Sequence, residues 1–323
     1  MGKNVPAASG RALRLRRHNS KSTIKRWFPL FVLPTFLCFI IGFVLPFYQG
    51  ITLSTYNFTV PNFGDTLVIP NADASAVQME SVGLQNYEKA LDAGFMNAFW
   101  NTASFAIVSI VLINVVAFAI AYALTQKMRG SNVFRTVFFM PNLIGGVVLG
   151  YIWNLIFGAI LQEYGTYLTA NATYGFWGLV ILVAWQQIGY MMIIYIAGLQ
   201  AVSEDMLEAA RIDGANGWQS LFRVIIPNVM PSITICTFLT LTNSFKMFDQ
   251  NLALTGGLPQ IIDKEAMAKI NSTELLALNI FSTYNTSKNH HGVAQAKAVI
   301  FFVLVAVLAL TQQWATRRKE VQQ

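Results

Sequence analysis

Six long apolar blocks divide this chain, and each is close to the length that crosses a lipid bilayer. A spanning helix needs about 20 mostly apolar residues. Candidate spans of this kind lie at 28–49, 100–124, 136–158, 174–198, 229–248 and 292–314. Only 11% of the residues are charged, against about 25% in soluble domains. The sequence therefore predicts an all-α integral membrane protein with about six transmembrane helices.

The first block has an alternative explanation as a secretory signal peptide, because basic residues precede it. Signal peptides have a shorter apolar stretch, followed by a small-residue cleavage site. The residues at 45–54 read LPFYQGITLS and contain no A-x-A pattern. We therefore predict a retained helix.

Basic residues concentrate on alternate loops between the blocks. Eight of the 22 Lys and Arg residues precede residue 28. Further groups are Lys127, Arg129 and Arg135, then Arg211 and Arg223, and then Arg317, Arg318 and Lys319. The positive-inside rule places these groups and both termini in the cytoplasm, with an even number of crossings and long outer loops at 50–97 and 249–290. The net charge of +7 does not indicate nucleic-acid binding, because no aromatics interleave with the basic run and no base-reading module follows it.

The fifth block is rich in polar residues, since ITICTFLTLTNSFKMF at 233–248 contains four Thr, a Ser, an Asn and a Lys. Such groups are costly against lipid, so the helix should face other helices or a water-filled path. A re-entrant segment is the alternative, but it would make the number of crossings odd. Polar and aromatic residues of spans four and five are candidates for a substrate path: Trp185, Gln186, Gln187, Tyr190, Thr240, Asn243, Ser244 and Lys246.

Aromatic rings beside amides suit a sugar, because rings pack on its apolar face while amides exchange hydrogen bonds with its hydroxyls. Hydrogen bonding between helices is the alternative role for each of these residues. In the third block, Asn142 and Gly145-Gly146 after Pro141 predict a broken or tightly packed span, with either a packing or a gating role.

The last block begins with residues that suggest no chemistry of their own. We expect Lys297 to extend outward to water from one turn inside this block. His290 and His291 precede it without further metal ligands, so we predict a solvated loop and no metal site. No constellation of a nucleophile with a base predicts a catalytic site either.

The segment between blocks four and five is too polar to cross a bilayer and reads as a helix–turn–helix on the cytoplasmic surface. Ser203 suits an N-cap, and Asp213-Gly214-Ala215 interrupts the first helix. Asn216 suits the N-cap of a second short helix, which we expect to end at Pro227. An amphipathic hairpin that only closes a loop and a docking site for a soluble partner are both compatible with this pattern.

The same segment resembles the cytoplasmic signature of the membrane subunits of binding-protein-dependent ABC importers. That signature is EAA, three residues, Gly, and Pro thirteen residues further on, and here it is Glu208, Ala209, Ala210, Gly214 and Pro227. Asp213 and Ala215 give EAARIDGA, which is similar to the carbohydrate-uptake branch. Two further stretches resemble the family, GLQNYEKALDAGFMNAFWNT at 83–102 and FDQNLALTGGLP at 248–259, although Leu258 is inserted before Pro259.

The resemblance implies a division of the chain and a mechanism. Residues 28–315 would form the transmembrane domain with its EAA loop at 203–228, between cytoplasmic tails at 1–27 and 316–323. The EAA hairpin would be the coupling helix that sits in a cleft of a cytoplasmic ATPase. Glu208 would anchor it, Gly214 would be its hinge or close-contact point, and Ala209 and Ala210 its packed seam.

The implied assembly contains a second homologous permease, two ATPase subunits that carry ATP and Mg, and an external solute-binding protein. The chain itself has no G-x-x-x-x-G-K-[ST] phosphate loop and so should bind no cofactor. We expect a multi-pass subunit of a prokaryotic inner membrane that imports a sugar or oligosaccharide. Alternatives are a polyol, glycerol phosphate or other solute, and a stand-alone secondary transporter, which would need repeats that we do not find.

Overall fold

A computed structural model describes residues 27–59, 78–126, 129–263, 268–286 and 290–317. The chain divides into two units, Met1–Leu53 and Ser54–Gln323. The predicted tails at 1–27 and 316–323 lie almost entirely outside the described residues.

The described part of the first unit is a single helix, α1 (Trp27–Leu53), which is long and apolar enough to cross a membrane. Its large apolar side chains are exposed, among them Phe31 and Phe43. One wider, π-helical turn occupies Ile40–Val44. Exposed apolar side chains along a helix of this length suit a span in contact with lipid.

The second unit is mostly helical, with two short antiparallel hairpins. Its helices are α2 (Gln85–Ala90), α3 (Ala93–Thr125), α4 (Ser131–Phe139), α5 (Gly146–Gln162), α6 (Ala172–Gln200), α7 (Glu204–Ile212), α8 (Gly217–Phe245), α9 (Asp249–Leu254), α10 (Leu276–Thr286) and α11 (His291–Arg317). Its strands are β1 (Tyr56–Thr59), β2 (Gln78–Ser81), β3 (Gln260–Asp263) and β4 (Ala268–Asn271). β1 pairs with β2, and β3 pairs with β4.

Both hairpins fall in the loops that the sequence analysis places outside the membrane. They are an addition to the predicted all-α architecture, which is otherwise confirmed. Their strands are only four residues long, too short for the alternating pattern that marks a strand to stand out in the sequence.

α3, α6 and α8 pack side by side at the centre of the unit, around a shared apolar core. Small residues let the helices approach closely. Ala117 and Ala121 of α3 are fully buried in this core, and a Cβ on Gly198 of α6 would overlap the side chain of Ser232 on α8.

A polar junction crosses the same three helices. The Tyr195 hydroxyl donates to Asn114 Oδ1 at 2.7 Å, and Asn114 Nδ2 donates to Thr240 Oγ1 at 3.4 Å. This contact agrees with the prediction that the polar fifth block faces other helices. α8 is also long and apolar enough to span the membrane, which favours a full crossing over the re-entrant alternative.

The third predicted span is broken. A 3-10 turn at Met140–Leu143 follows α4, and the chain bends by 100° before α5. The bent pair contacts α6 at positions that lie progressively closer to Ala172, the first residue of α6. Phe138 packs at Gly189, Ile144 at Gln186 and Phe157 at Gly178. Because these contacts advance in one direction, we treat the bent pair as one crossing, which gives six in all with the five long helices among the described residues.

Candidate functional site

The segment between α6 and α8 forms the predicted helical hairpin. α7 begins after Ser203, which has the extended backbone of an N-cap but makes no capping hydrogen bond with its side chain. α7 ends in a Schellman motif, in which Ala215 N donates to Ala210 O at 2.9 Å and Gly214 N donates to Arg211 O at 3.1 Å. Gly214 has φ of +80°, so the turn requires the left-handed conformation that glycine adopts without strain.

The second arm of the hairpin is the start of α8. Asn216 caps it through a capping box, since Gln219 N donates to Asn216 Oδ1 and Asn216 N donates to Gln219 Oε1, both at 2.9 Å. The prediction that Pro227 ends this helix is wrong, because α8 runs through it to Phe245. A π-helical turn at Leu221–Ile225 directly precedes this proline. Such turns widen the helix and are common where its regular hydrogen bonding is interrupted.

The outer face of the hairpin carries apolar and small residues that nothing in the described part of the chain covers. Ile212 is 85% exposed and Trp218 is 72% exposed, and the Trp218 ring stacks on Phe222 at 5.9 Å. Glu208 and Ala209 are also exposed. An exposed cluster of this kind is typical of a protein-binding surface.

A second feature is a polar pocket of about 250 Å³ beside the break in the third span. It gathers residues from the 3-10 turn after α4, from α6, from the end of α8 and from α9. The lining residues of this polar pocket are Asn142, Gln186, Gln187, Asn243, Lys246, Met247 and Gln250. They include one cation and no carboxylate, so the pocket favours neutral or anionic groups.

Hydrogen bonds fix one wall of the polar pocket, and one amide oxygen among its lining residues is buried without a partner. Gln250 Nε2 donates to Gln186 Oε1 at 2.8 Å, and Gln186 Nε2 donates to Ile144 O at 3.2 Å. Gln187 is only 8% exposed, and its Oε1 has no partner. A buried acceptor without a donor is unfavourable, and a ligand hydroxyl would satisfy it.

The structure brings Gln186, Gln187, Asn243 and Lys246 of the predicted path together, but not the other four residues. Trp185 packs edge-on against Trp153 at 5.6 Å, and Tyr190 packs against the apolar core. Thr240 and Ser244 are buried and donate to backbone carbonyls of their own helix. These four residues do not line the polar pocket.

Sequence reasoning did not select Gln250 or Met247 as site residues. Both lie in or beside FDQNLALTGGLP, the stretch that resembles the importer family. That resemblance was the available signal that these residues belong to a functional region. Gly146 supports this wall, since a Cβ there would come within 2.9 Å of the Gln250 side chain. The predicted break at Gly145-Gly146 is confirmed, and it brings the third span against α9.

The rest of FDQNLALTGGLP builds a buried polar hub. Asn251 is fully buried, donates to Thr273 O at 3.0 Å and accepts from Leu275 N at 3.0 Å. Gly257 has φ of +84° and lies in a tight space beside Asn271. The Thr-Gly-Gly pattern therefore shapes a turn that holds α9 against the segment before α10.

The expectation that Lys297 extends outward is wrong. This side chain is only 1% exposed and forms an ion pair with Asp92 at 2.9 Å. It also donates to Asn279 Oδ1 and Thr283 Oγ1, both at 3.0 Å. Acceptors supplied by distant parts of the chain satisfy the ammonium, so it does not need water.

His291, predicted to lie in a solvated loop, instead opens α11 and stacks on the Tyr284 ring at 4.1 Å. His290 is exposed. Within the described ranges, no group of three or more His, Cys, Asp or Glu side chains has the geometry to hold a metal ion.

A bundle of membrane-spanning helices with a polar pocket between elements and a capped helical hairpin joining two spans is typical of a membrane transport subunit. Residues 129–321 match the family described as binding-protein-dependent transport system inner membrane component. The chain belongs to this family.

Individual relatives agree with the family assignment. The chain is 41% identical over 306 residues to the probable starch degradation products transport system permease protein AmyD of Thermoanaerobacterium thermosulfurigenes, covering 92% of this chain and 96% of AmyD. It is 28% identical over 307 residues to the multiple sugar-binding transport system permease protein MsmF of Streptococcus mutans, covering 92% and 97%.

A solved structure shows the same fold. The crystal structure of a bacterial ABC transporter involved in the import of the acidic polysaccharide alginate has a chain that superposes with a TM-score of 0.69, covering 93% of this chain and 99% of that one. The sequence identity is 17%, so this likeness concerns the fold alone.

Proposed function

We propose that this chain is a permease subunit of an ATP-driven importer for a sugar or oligosaccharide. The polar pocket is the observation that carries the proposal. It combines amide donors and acceptors with a buried acceptor, Gln187 Oε1, that lacks a partner. A sugar hydroxyl donates to such an acceptor and accepts from a neighbouring amide. The names of AmyD and MsmF, which refer to starch degradation products and to multiple sugars, support the same substrate class.

The hairpin at 203–228 is proposed as the coupling element to a separate ATPase that binds ATP and Mg. Its exposed face, which includes Glu208 and Ala209, supports docking of another chain. Gly214, Asp213 and Ala215 shape the turn, and Ala210 accepts the hydrogen bond that closes it. The chain would pair with a second homologous permease, and two ATPase subunits would complete the cytoplasmic side.

α8 is the proposed mechanical link between the two sites. Its 29 residues extend about 43 Å at 1.5 Å per residue, from the hairpin at Gly217 to the polar pocket beside Lys246. A tilt of the hairpin would therefore move Asn243 and Lys246 relative to Gln186 and Gln187 on α6. Pro227 and the π-helical turn at Leu221–Ile225 mark where this helix bends most easily.

The proposed topology has both termini in the cytoplasm and the β3–β4 hairpin outside, in a prokaryotic inner membrane. Residues 28–315 form the transmembrane domain, and 1–27 and 316–323 are cytoplasmic tails. An external solute-binding protein would deliver the sugar to the outer loops.

Lys246 supports a second candidate substrate class. It brings a cation to a pocket without a carboxylate, which suits an anionic solute such as glycerol phosphate. Lys246→Gln separates the two, because it should reduce uptake of an anionic solute far more than uptake of a neutral sugar.

Uptake of labelled solutes by cells with and without this chain tests the proposal. Expression of the complete transport system should restore uptake of a maltodextrin or another neutral sugar. Gln187→Leu, which removes the open acceptor at similar size, should reduce that uptake at an unchanged amount of protein in the membrane. Restored uptake of glycerol phosphate alone would favour the second candidate, and full sugar uptake by the Gln187 variant would remove the pocket from the path.

A further inference from the structure

A buried charged network outside the polar pocket ties together elements that are distant in sequence. Its centre is Lys297 on α11, whose three ammonium protons have three acceptors on two other segments of the chain: Asp92 Oδ2, Asn279 Oδ1 and Thr283 Oγ1. A buried ammonium is unfavourable unless it is paired and hydrogen-bonded. The full set of acceptors fixes where α10 sits against α11.

Asp92 extends the network to the start of α3. One carboxylate oxygen binds Lys297, and the other accepts from Phe95 N at 2.7 Å as the N-cap of α3. The Lys297 ammonium also lies 5.9 Å from the centre of the Phe95 ring. The first turn of α3 and the second turn of α11 are therefore joined by charge.

Asn279 extends the network in the other direction, to the buried carboxylate of Glu274, whereas Asp92 is half-exposed. Its Nδ2 donates to Glu274 Oε2 at 2.9 Å while its Oδ1 accepts from Lys297. Glu274 is 3% exposed and also accepts from Ser282 Oγ at 2.6 Å. These bonds order the segment 271–286, which we call the outer platform.

The outer platform is also bonded to α3 by hydrogen bonds between side chains of α3 and the platform's own backbone. Asn101 Nδ2 donates to Ser272 O at 2.7 Å, and Leu276 N donates to Thr102 Oγ1 at 2.9 Å. Its other edge meets α9, where Asn251 accepts from Leu275 N. The residue next to Asn251 on α9 is Gln250, which lines the polar pocket and donates a hydrogen bond to Gln186.

We propose that Lys297 is a positioning residue for the polar pocket. By neutralising Asp92 and orienting Asn279, it holds the outer platform on α3 and α11. The platform in turn holds Asn251, and Asn251 fixes the register of α9 and hence of Gln250. The proposal rests on the proposed function only where it treats the polar pocket as the place that receives substrate.

Hydrogen exchange measured by mass spectrometry on the purified protein in lipid nanodiscs tests whether Lys297 stabilises the outer platform and α9. Lys297→Met keeps the length of the side chain and removes its charge and donors. We expect amides of 271–286 and of α9 to exchange at least about tenfold faster, because Asn279 and Thr283 lose the buried donor that ties α10 to α11. Lys269→Met removes an exposed lysine of β4 and should change nothing.

Two further variants separate positioning from general loss of the fold. Thr283→Val removes one acceptor of the ammonium, and a donor to Asn279 O within α10, without changing charge, so it should give a smaller increase in exchange in the same segments. Lys297→Arg keeps the charge and donors and should restore most of the protection. Unchanged exchange in α9 and the platform of the Lys297→Met protein would overturn the proposal.

Uptake kinetics distinguish a positioning role of Lys297 from a purely structural one, because a purely structural role would leave the KM for uptake unchanged. Lys297→Met should raise the KM for uptake, because Gln250 is misplaced, with a smaller effect on the maximal rate per transporter. Faster exchange with an unchanged KM would reduce Lys297 to a structural role and overturn the proposal. If the wild-type protein transports no sugar, the proposed function fails, whereas exchange in α9 still decides whether Lys297 positions Gln250.

Discussion

Gly214 is the residue on which the geometry of the hairpin depends most. Its φ of +80° lies in the left-handed region, where a side chain with a branched Cβ is strained by about 1–2 kcal/mol. A Cβ at this position would meet nothing within 4 Å. Substitution therefore acts on backbone conformation rather than on packing, which makes Gly214 a clean probe of the turn.

We predict that Gly214→Val abolishes most uptake while the protein still inserts into the membrane in normal amounts. Gly214→Asn should keep more activity, because Asn tolerates the left-handed region. Gly217→Ala is the matched control: it lies in the first turn of α8, without a positive φ, and its Cβ also meets nothing within 4 Å. Normal sugar uptake by the Gly214→Val protein would contradict a coupling role for the hairpin.

The residues of the polar pocket lead to a second prediction at this scale. Asn243→Ala removes a donor and an acceptor from the pocket and should reduce sugar uptake about tenfold, the equivalent of one lost hydrogen bond of about 1.4 kcal/mol. Thr242→Val on the same helix is the control, since Thr242 bonds to the α8 backbone and does not line the pocket. Equal uptake by the two variants would argue that substrate takes another route.

At the scale of elements, α6 is the helix that organises the bundle, and Gly189 is its tightest contact. A Cβ there would overlap the carbonyl of Phe138 at the end of α4. That contact lies just before the bend in the third span. It therefore sets the position of Asn142, which lines the polar pocket after the bend, relative to α6.

We predict that Gly189→Ala destabilises the protein, by about 1–3 kcal/mol as is typical of overpacking. A lower thermal midpoint of the detergent-solubilised protein would report the change. Gly158→Ala on α5, where a Cβ meets nothing within 4 Å, should leave the midpoint unchanged. If the two substitutions behaved alike, the close approach of α4 to α6 would be wrong.

The elements differ in how far the sequence determines them. The spans were predictable because lipid imposes a length and an apolar composition on each helix separately. The hairpin turn was also predictable, since Asp213-Gly214-Ala215 and Asn216 form local caps. Lys297 was not, because its partner Asp92 lies 205 positions away and nothing local indicates the pairing.

Local sequence patterns did not predict the continuation of α8 through Pro227 or the full set of residues that line the polar pocket. Pro227 normally ends a helix, but the π-helical turn before it lets α8 continue from the hairpin into the membrane. Four of the eight predicted path residues do not line the pocket, and the packing of α6 against α8, which local sequence does not show, decides which of the eight do. Gln250 became a site residue because the third span breaks beside it.

For the molecule as a whole, a coupling role of the hairpin requires six crossings with the hairpin and both termini on the same side of the membrane. We predict that a fluorescent protein fused to the C-terminus is fluorescent in the cytoplasm of intact cells. A cysteine at Ile262, which is 67% exposed on β3, should react with a membrane-impermeant maleimide added outside. A cysteine at Ile212 should react only after the membrane is permeabilised.

Reaction of the Ile212 cysteine in intact cells would reverse the topology and exclude docking of a cytoplasmic ATPase. If the two cysteines react from opposite sides, as expected, the chain must cross the membrane an odd number of times between them. α8 is the one predicted span between these two positions. The same labelling therefore also checks that α8 crosses completely.

The central claim is that this chain works as the membrane part of an ATP-driven importer, coupled through its hairpin. The most direct measurement is to purify the chain from native membranes under mild conditions, identify what accompanies it, and measure ATP hydrolysis. The account predicts a phosphate-loop ATPase, a second membrane chain with an EAA hairpin, and ATP hydrolysis that depends on the liganded binding protein in the wild type and is uncoupled from uptake by Gly214→Val. A homo-oligomer reproducibly free of any ATPase would contradict it.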